Sequence, residues 1–300
     1  MKKISIFILV ALLSTPIFSQ NKPKTILWEI KGNGLTHKSY LFGTNHSFNG
    51  TWIDSFTVVK QKLLEAKTIA VEVKGATADK VNTLSVDTTH ISIKELFKDS
   101  TYALVNNYLK AKGLSSLDNA PENFYSVLGL YFATFGRLIQ PNEKENTDAI
   151  DRYIEQLGKE KKGIIYLDSG IEKIKTDSIA ALNEKNMANL IVWCIKNENN
   201  PDSIKLVVNA SKPALDEFRN LSVEYNFNQN LPIVYGQLER ELILKRNNYW
   251  VDKLPSILKT GNVFIAVGLQ HLKYKEGLIN QLRELGYTVS PVKIVRKYSR

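Results

Sequence analysis

The sequence predicts an α/β fold in which a mixed central β-sheet is flanked by helices, with a largely helical insertion in the middle of the chain. Short apolar runs rich in β-branched residues alternate with longer amphipathic segments, a pattern typical of strands joined by helices. Two of these runs, residues 26–30 and 39–43, flank Lys31-Gly32-Asn33-Gly34, which suits the turn of an antiparallel hairpin. The strands of a hairpin are antiparallel, whereas strands joined by helices are usually parallel, so a sheet that contains both kinds is mixed.

The composition is that of an ordinary globular protein. The 300 residues are 43% hydrophobic and 23% charged, which excludes disordered, collagen-like and coiled-coil classes. The single cysteine cannot form an internal disulfide. The net charge of +10 is spread along the chain and does not alternate with aromatic residues, so it indicates a solvated basic surface and no nucleic-acid partner.

The first twenty residues have the order of a secretory signal peptide. Lys2 and Lys3 precede an apolar run that is followed by small residues. We predict cleavage after Ser19, so that residues 1–19 are removed and the protein is periplasmic or secreted; an uncleaved anchor is the alternative. The mature chain, residues 20–300, is predicted to be a single domain with no transmembrane segment, because no later stretch is apolar enough to span a bilayer.

The elements after the hairpin follow from apolar spacing and from helix breakers. Residues 68–73 read as a β-branched strand, and the insertion covers about residues 76–160. Its most apolar helix, residues 123–138, follows Pro121, which suits a first helical turn. The helix before the strand is predicted over residues 54–66, with one apolar face formed by Phe56, Val59, Leu63 and Leu64.

The rest of the chain alternates helices with strands. A helix over residues 148–157 is predicted to end at Gly158. Buried strands are predicted at residues 163–167 and 263–267, and a final strand at residues 288–292. The predicted helices between them are residues 171–232, with breaks at residues 197–201 and at Pro213, then residues 238–248, 250–258 and 276–285.

Four predicted strands each end at a polar residue that could do chemistry. The strand at residues 39–43 is followed by His46, the strand at 68–71 by Glu72, the strand at 163–167 by Asp168, and the strand at 263–267 by His271. In open α/β sheets, ligands bind outside the carboxyl ends of the strands. If these strands are parallel neighbours, two histidines and two carboxylates meet in one site.

Two imidazoles and a carboxylate are a common ligand set for a divalent metal with an open coordination position. His46, His271 and Glu72 are therefore the predicted metal ligands. A second carboxylate, Asp168, could act as general base or hold a histidine. Arg246, near a helix end, could bind a substrate carboxylate or stabilise developing negative charge. The predicted catalytic residues are thus Glu72, Arg246 and Asp168.

Other reactive side chains have simpler interpretations. His37 lies in the hairpin turn and is expected at the surface, and His90 is expected in a loop. Cys194, beside Trp193 on an apolar helical face, is expected in the core. The Gly-x-Ser-x-Gly motif of serine hydrolases is absent. Asp168, followed by Ser and Gly, also fits an ordinary turn.

Several segments resemble the TraB/GumN family, which is similar to the Tiki metalloproteases. Gly43-Thr44-Asn45-His46 matches the family's Gly-Thr-x-His motif, and Ala70-Val71-Glu72-Val73 matches its strand with a functional Glu. Arg246-Asn247 resembles the Arg-Asn segment, and Gly268-Leu269-Gln270-His271 resembles a second Gly-x-x-His motif. The similarity spans about residues 26–292.

The resemblance implies a fold similar to the erythromycin-esterase-like and haem-binding ChaN-like proteins, and a metal-dependent peptidase activity that favours manganese or cobalt. Asn45, Asn247 and Gln270, which lie within these motifs, are the candidates for substrate binding. One position departs from the family pattern, which commonly has Leu-Glu-Thr where this chain has Asp168. Aspartate is one methylene shorter than glutamate and reaches less far.

The combined prediction is an exported metal-dependent hydrolase, specifically a peptidase with a His/His/Glu site and manganese, cobalt or zinc as cofactor. Its partner would be a peptide or small-molecule substrate. A non-enzymatic protein that sequesters a peptide or a haem-like ligand in the same cleft is the alternative. A surface interaction protein with a degenerate site is a third class. The sequence does not specify the substrate, the metal or the oligomeric state.

Overall fold

A computed structural model describes residues 23–73, 91–120, 124–139, 149–161, 163–171, 179–232 and 237–297. The strands in these ranges are β1 (Leu27–Lys31), β2 (Ser39–Thr44), β3 (Thr68–Val71), β4 (Gly163–Tyr166), β5 (Val263–Gly268) and β6 (Thr288–Pro291). The α-helices are α1 (Thr57–Glu65), α2 (Ile93–Leu96), α3 (Asp99–Ala111), α4 (Phe124–Ile139), α5 (Ile150–Lys161), α6 (Ile179–Asn197), α7 (Pro201–Arg219), α8 (Gln237–Leu258) and α9 (Leu278–Glu284). Short 3-10 turns lie at Gly50–Ser55, Leu117–Asn119 and Leu269–Leu272.

The strands form one six-stranded sheet in the order β4-β3-β5-β2-β1-β6. The first four are mutually parallel, whereas β1 pairs antiparallel with both β2 and β6. The predicted α/β fold with a mixed sheet flanked by helices is therefore confirmed. The four strands that carry the candidate residues are also adjacent and parallel, so their carboxyl ends lie along one edge of the sheet.

The described part of the chain has two main clusters of buried hydrophobic side chains, besides a small one formed by Leu138, Cys194 and Val207. The larger one surrounds the sheet and includes the inner strand β5, whose residues Val263–Val267 are almost completely buried. A second hydrophobic cluster joins α2, α3 and α4 of the predicted insertion to α6, through residues such as Val105, Val127 and Ile191. Helix α5, at the end of the insertion, packs on the sheet against β3 and β4. The structure thus has a sheet layer and a helical layer.

Several predicted helix limits are wrong. The helical region predicted to reach residue 232 ends with α7 at Arg219. Gly158 lies inside α5, where a Cβ would be 3.2 Å from Ile164 and 3.4 Å from Ile69. Its missing side chain permits close helix–sheet packing and does not end the helix. Pro213 lies inside α7 on the exposed side, where water can solvate the carbonyl that loses its backbone donor. The predicted helices at residues 238–248 and 250–258 form the single helix α8.

Two burial predictions also differ from the structure. Strand β4 was expected to be buried, but it lies at the sheet edge, pairs only with β3, and leaves residues 163–166 partly or fully exposed. Leu64 was assigned to the apolar face of its helix and is 43% exposed, while Val59 and Leu63 on that face are buried. A helical face about 100° wide does not extend to Leu64.

Some predictions concern residues outside the described ranges. These are the signal peptide, the first part of the insertion and His90. In the part of the chain that the structure describes, no helix has both the length and the apolar character that crossing a membrane requires.

Candidate functional site

The candidate residues surround the carboxyl ends of the four parallel strands. His46 comes two residues after β2, Glu72 follows β3 directly, and Asp168 comes two residues after β4. His271 lies in the 3-10 turn that follows β5. Helix α8 crosses this edge of the sheet and contributes Arg246. The sequence analysis required these four strands to be adjacent and parallel if their polar ends were to form one site. The strand order meets this condition.

The glycines of the two Gly-x-x-His motifs allow neighbouring loops to approach closely. A Cβ on Gly43 would lie 2.7 Å from Cδ1 and 3.3 Å from Cα of Leu269, so a side chain there would displace the turn that carries His271. The backbone N–H of Gly268 donates a hydrogen bond to Oε1 of Glu72, and a Cβ on Gly268 would lie 3.3 Å from that oxygen. Each motif therefore needs glycine because another part of the site lies against it.

Arg246 occupies the centre of the cluster. Its Nη2 lies 2.6 Å from Oε2 of Glu72 and 2.9 Å from Oδ2 of Asp168. Its Nε donates to Oδ1 of Asp168 at 3.2 Å, and its Nη1 lies 3.3 Å from Nε2 of His271. The guanidinium also stacks over Trp250, with Cζ 4.5 Å from the ring centroid. One cation thus binds two carboxylates that would otherwise be unpaired in a buried site.

The two carboxylates differ in their electrostatic surroundings. Burial, the largest influence on Glu72, raises its pKa, but Arg246, the two histidines and the Gly268 N–H together lower the pKa to about 2. Glu72 is therefore ionised at neutral pH. Burial raises the pKa of Asp168, and Arg246 opposes this. Asp168 also accepts a hydrogen bond from Nε1 of Trp250 at 2.7 Å, so both of its oxygens are engaged. Asp168 therefore positions Arg246.

His271 is held by Asn247. Nδ1 of His271 lies 2.7 Å from Oδ1 of Asn247, while Nδ2 of Asn247 donates to the backbone carbonyls of His271 and Glu276 at 3.2 and 3.0 Å. This network assigns the proton to Nδ1 and leaves the lone pair on Nε2. Burial lowers the pKa of His271 to about 3, so the ring is neutral at pH 7. Asn247, a predicted substrate ligand, is buried and uses its amide for these contacts.

His46 is held by a residue that sequence reasoning missed. Its Nδ1 lies 2.7 Å from Oδ2 of Asp151, in the first turn of α5, and the Thr44 hydroxyl donates to the other oxygen of Asp151. The Asp151 carboxylate raises the pKa of His46, although water screens part of this attraction because the His46 side chain is 62% exposed. A small cavity is lined by His46, Glu72, Asp151, Val71, Val73 and Glu155.

No sequence signal distinguishes Asp151 or Trp250. An acidic residue in a first helical turn is common because it favours the helix dipole, and a buried tryptophan in a helix is usually a packing residue. Both reach the site only through the docking of their helices on the sheet edge.

The remaining substrate-binding candidates lie at the border of the site. Oδ1 of Asn45 accepts a hydrogen bond from the Ser47 N–H at 3.0 Å and closes the turn that carries His46. Gln270 lines an open groove of about 570 Å³, together with Arg240 and Lys273. Substrate contact by Asn45, Asn247 and Gln270 stays a prediction.

His37 and Cys194 have the surroundings that the sequence predicts. His37 is exposed in the hairpin turn and Cys194 is buried, as predicted. Burial raises the pKa of the Cys194 thiol to about 11, so the thiol is protonated at neutral pH and is not an activated nucleophile.

Comparison with known proteins supports the resemblance seen in the motifs. Residues 26–291 match the model of the TraB/PrgY/gumN family, and this range includes both Gly-x-x-His motifs. The chain belongs to the TraB/PrgY/gumN family. No curated protein and no solved structure gives a significant match to it.

The donor atoms of this TraB/PrgY/gumN site are suitable in kind for a divalent metal. Nε2 of His271 keeps its lone pair, Glu72 is ionised, and the Asp151 contact at Nδ1 leaves Nε2 of His46 as the nitrogen that a metal could reach. Within the described ranges, however, no three His, Cys, Asp or Glu side chains are grouped closely enough to hold a metal ion. Because Arg246 contacts Glu72 and His271, metal ligation by these residues requires Arg246 to move.

Proposed function

We propose that this TraB/PrgY/gumN protein is an exported metal-dependent peptidase. The observation that carries the proposal is the convergence of two anchored histidines, an ionised carboxylate and an arginine at the carboxyl ends of adjacent parallel strands. This edge is where α/β sheets bind ligands. Export is proposed from the charged, apolar and small-residue order of residues 1–19.

In this proposal His46, His271 and Glu72 hold manganese, cobalt or zinc. When bound there, the metal would polarise a peptide carbonyl and lower the pKa of a bound water. Arg246 would stabilise the negative charge that develops on the carbonyl oxygen. Asp168 keeps Arg246 in place through two hydrogen bonds. The groove beside Gln270 offers room for residues flanking the scissile bond.

The test compares histidine variants on a defined mixture of peptides. The full chain is incubated with Mn²⁺, Co²⁺ or Zn²⁺, and cleavage is followed by mass spectrometry. We expect metal-dependent cleavage that His46→Ala and His271→Ala slow by about 100-fold or more, since each removes a group at the reacting centre. His37→Ala is the matched control, because His37 lies in the exposed hairpin turn, and it should cleave like the parent chain. Equal cleavage by His46→Ala, or no cleavage with any of the three metals, contradicts the proposal.

A second candidate function is the sequestration of a peptide or a haem-like ligand without turnover. It is favoured by the position of Arg246, which pairs with Glu72 and Asp168 and so occupies carboxylate oxygens that a metal would need. Under this hypothesis the chain binds a ligand that mass spectrometry then recovers intact, with or without added metal. Cleavage of the bound peptide would exclude it.

A further inference from the structure

We propose that Asp151 is the positioning residue of His46, fixing its ring through Nδ1 so that Nε2 is the nitrogen presented to the site. The inference rests on the proposed function for its consequence, but the contact itself requires no metal. It gives the helix that ends the insertion a direct part in building the site.

The contacts of Asp151 suit this role. Oδ1 accepts from the Thr44 hydroxyl, and Oδ2 lies 2.7 Å from Nδ1 of His46. The Asp151 side chain is only 12% exposed, and its buried Oδ2 makes no well-aligned hydrogen bond to the described residues, so the His46 ring at 2.7 Å is the group that this oxygen faces. Removing a carboxylate oxygen from water costs free energy, and here the His46 ring is the group that can offset this cost.

The backbone around Asp151 is fastened to the segment that carries His46. The N–H of Ile150 donates to the carbonyl of Phe48 at 3.0 Å, and Asn49 forms a β-bridge with Ala149. Ile150 itself is fully buried in the sheet core. The carboxylate therefore approaches His46 from a rigid base, in contrast to the flexible pairs of long side chains on protein surfaces.

A purely stabilising ion pair explains the arrangement less well. The His46 ring is 62% exposed, and exposed ion pairs contribute only about 0–1 kcal/mol. Burying the carboxylate costs free energy that so weak a pair does not recover. What a buried carboxylate oxygen 2.7 Å from Nδ1 does provide is a preference for the proton on that ring nitrogen.

The other histidine also has an oxygen beside Nδ1, in its case a hydrogen-bond partner. Nδ1 of His271 meets Oδ1 of Asn247, just as Nδ1 of His46 meets Oδ2 of Asp151. Both rings thus have Nδ1 tied to an oxygen and Nε2 left for the site. Oxygen partners behind ligating histidines fix the tautomer, and their loss typically weakens metal binding by about 10–100-fold.

The first measurement uses the full chain without added metal at alkaline pH, where the His46 ring is neutral although Asp151 raises its pKa. Long-range ¹H–¹⁵N spectra report which ring nitrogen of each histidine carries a proton, and His46→Gln identifies the signals of His46. We expect Nδ1 to be protonated in the parent chain, and Asp151→Ala to shift the neutral ring toward the Nε2-protonated form. Asp151→Asn keeps an oxygen acceptor and the same size, so it should retain the parent tautomer. Asp54→Ala is the matched control, because Asp54 also contacts α5, through Tyr153, but not His46.

The second measurement is a titration with Co²⁺ alone. We expect Asp151→Ala to weaken Co²⁺ binding by about 10–100-fold, Asp151→Asn to weaken it less, and Asp54→Ala to leave it unchanged. An unchanged His46 tautomer in Asp151→Ala overturns the inference, whatever the chain does with peptides. A shifted tautomer in a chain that binds no Co²⁺ supports the inference while it removes the metal from the proposed function.

Discussion

At the scale of single residues, Arg246 has the largest effect on the candidate site. It is the one cation within hydrogen-bond distance of both Glu72 and Asp168 in the described part of the chain, and it also contacts His271. The charge balance of the site therefore depends on one guanidinium, and its removal has consequences that can be measured without knowledge of the substrate.

We expect Arg246→Met to lower the free energy of unfolding at pH 7 by about 3–5 kcal/mol, because two buried carboxylates lose their counter-ion. The loss should shrink as the pH falls. In the parent chain Glu72 has a pKa of about 2, against 4.5 for the ordinary side chain, so its pairing contributes stability above about pH 4.5 that is lost toward pH 2. Without Arg246, Glu72 and Asp168 take up protons at a higher pH than in the parent chain, and protonation removes the repulsion between the two carboxylates.

Urea unfolding at pH 7, 5.5 and 4 measures this effect. Arg219→Met is the control, because Arg219 pairs with Asp216 at the surface and is 46% exposed, so its loss should cost at most about 1 kcal/mol. A loss for Arg246→Met that is below 1 kcal/mol, or equal at all three pH values, would contradict the expected role of the ion pair.

At the scale of elements, the distance between α5 and the sheet determines where Asp151 lies. Gly158 allows α5 to rest directly on β3 and β4, with Ile69 and Ile164 beside the position that a Cβ would take. In the sequence Gly158 indicated the end of a helix. In the structure it allows close packing, because the lack of a side chain suits both a helix end and a close approach of two elements.

A side chain at position 158 should force α5 away from the sheet. We expect Gly158→Leu to lower the free energy of unfolding by about 1–3 kcal/mol, as overpacked cores do. Gly136→Leu in α4 is the matched control: a Cβ there meets nothing within 4 Å, and leucine favours the helix. It should be neutral or stabilising. Thermal unfolding measures the stability of both variants. Equal stability of Gly158→Leu and Gly136→Leu would show that α5 does not need to pack closely on the sheet at Gly158.

At the scale of the whole molecule, the sheet core and the helical cluster are two hydrophobic units of different character. The sheet core includes the strand ends that carry the site, whereas the helical cluster joins α2, α3, α4 and α6. Regions with separate cores can open separately.

We expect Ile191→Ala, in the helical cluster, to cost about 2–5 kcal/mol locally, and to reduce hydrogen-exchange protection in α3, α4 and α6 while the amides of β5 stay protected. Ile265→Ala, in the centre of β5, is the comparison, and it should reduce protection in both layers because it destabilises the sheet core. Hydrogen-exchange mass spectrometry measures both. A uniform loss of protection in Ile191→Ala would show that the two layers unfold as one.

Local patterns explain how much could be predicted. The strands and their polar ends were visible because apolar runs and Gly-x-x-His spacing involve neighbouring residues only, and the resulting sheet edge is confirmed. The helix limits predicted at Gly158 and Pro213 were wrong. Whether a glycine or proline ends a helix depends on the packing and solvent around it, which the sequence does not show. The roles of His46, His271 and Glu72 stay predictions that the proposed experiments address.

The sequence by itself determined the α/β fold, the family and the polar residues that end four strands, because apolar runs and motif spacing are local patterns. The structure decided that these four strands are adjacent and parallel. Only the tertiary structure decided that Arg246 binds Glu72 and Asp168, that Asn247 holds His271, and that Asp151 holds His46. Those contacts join residues far apart in the chain. They depend on how α5 and α8 dock on the sheet edge, which is a property of packing that no local pattern encodes.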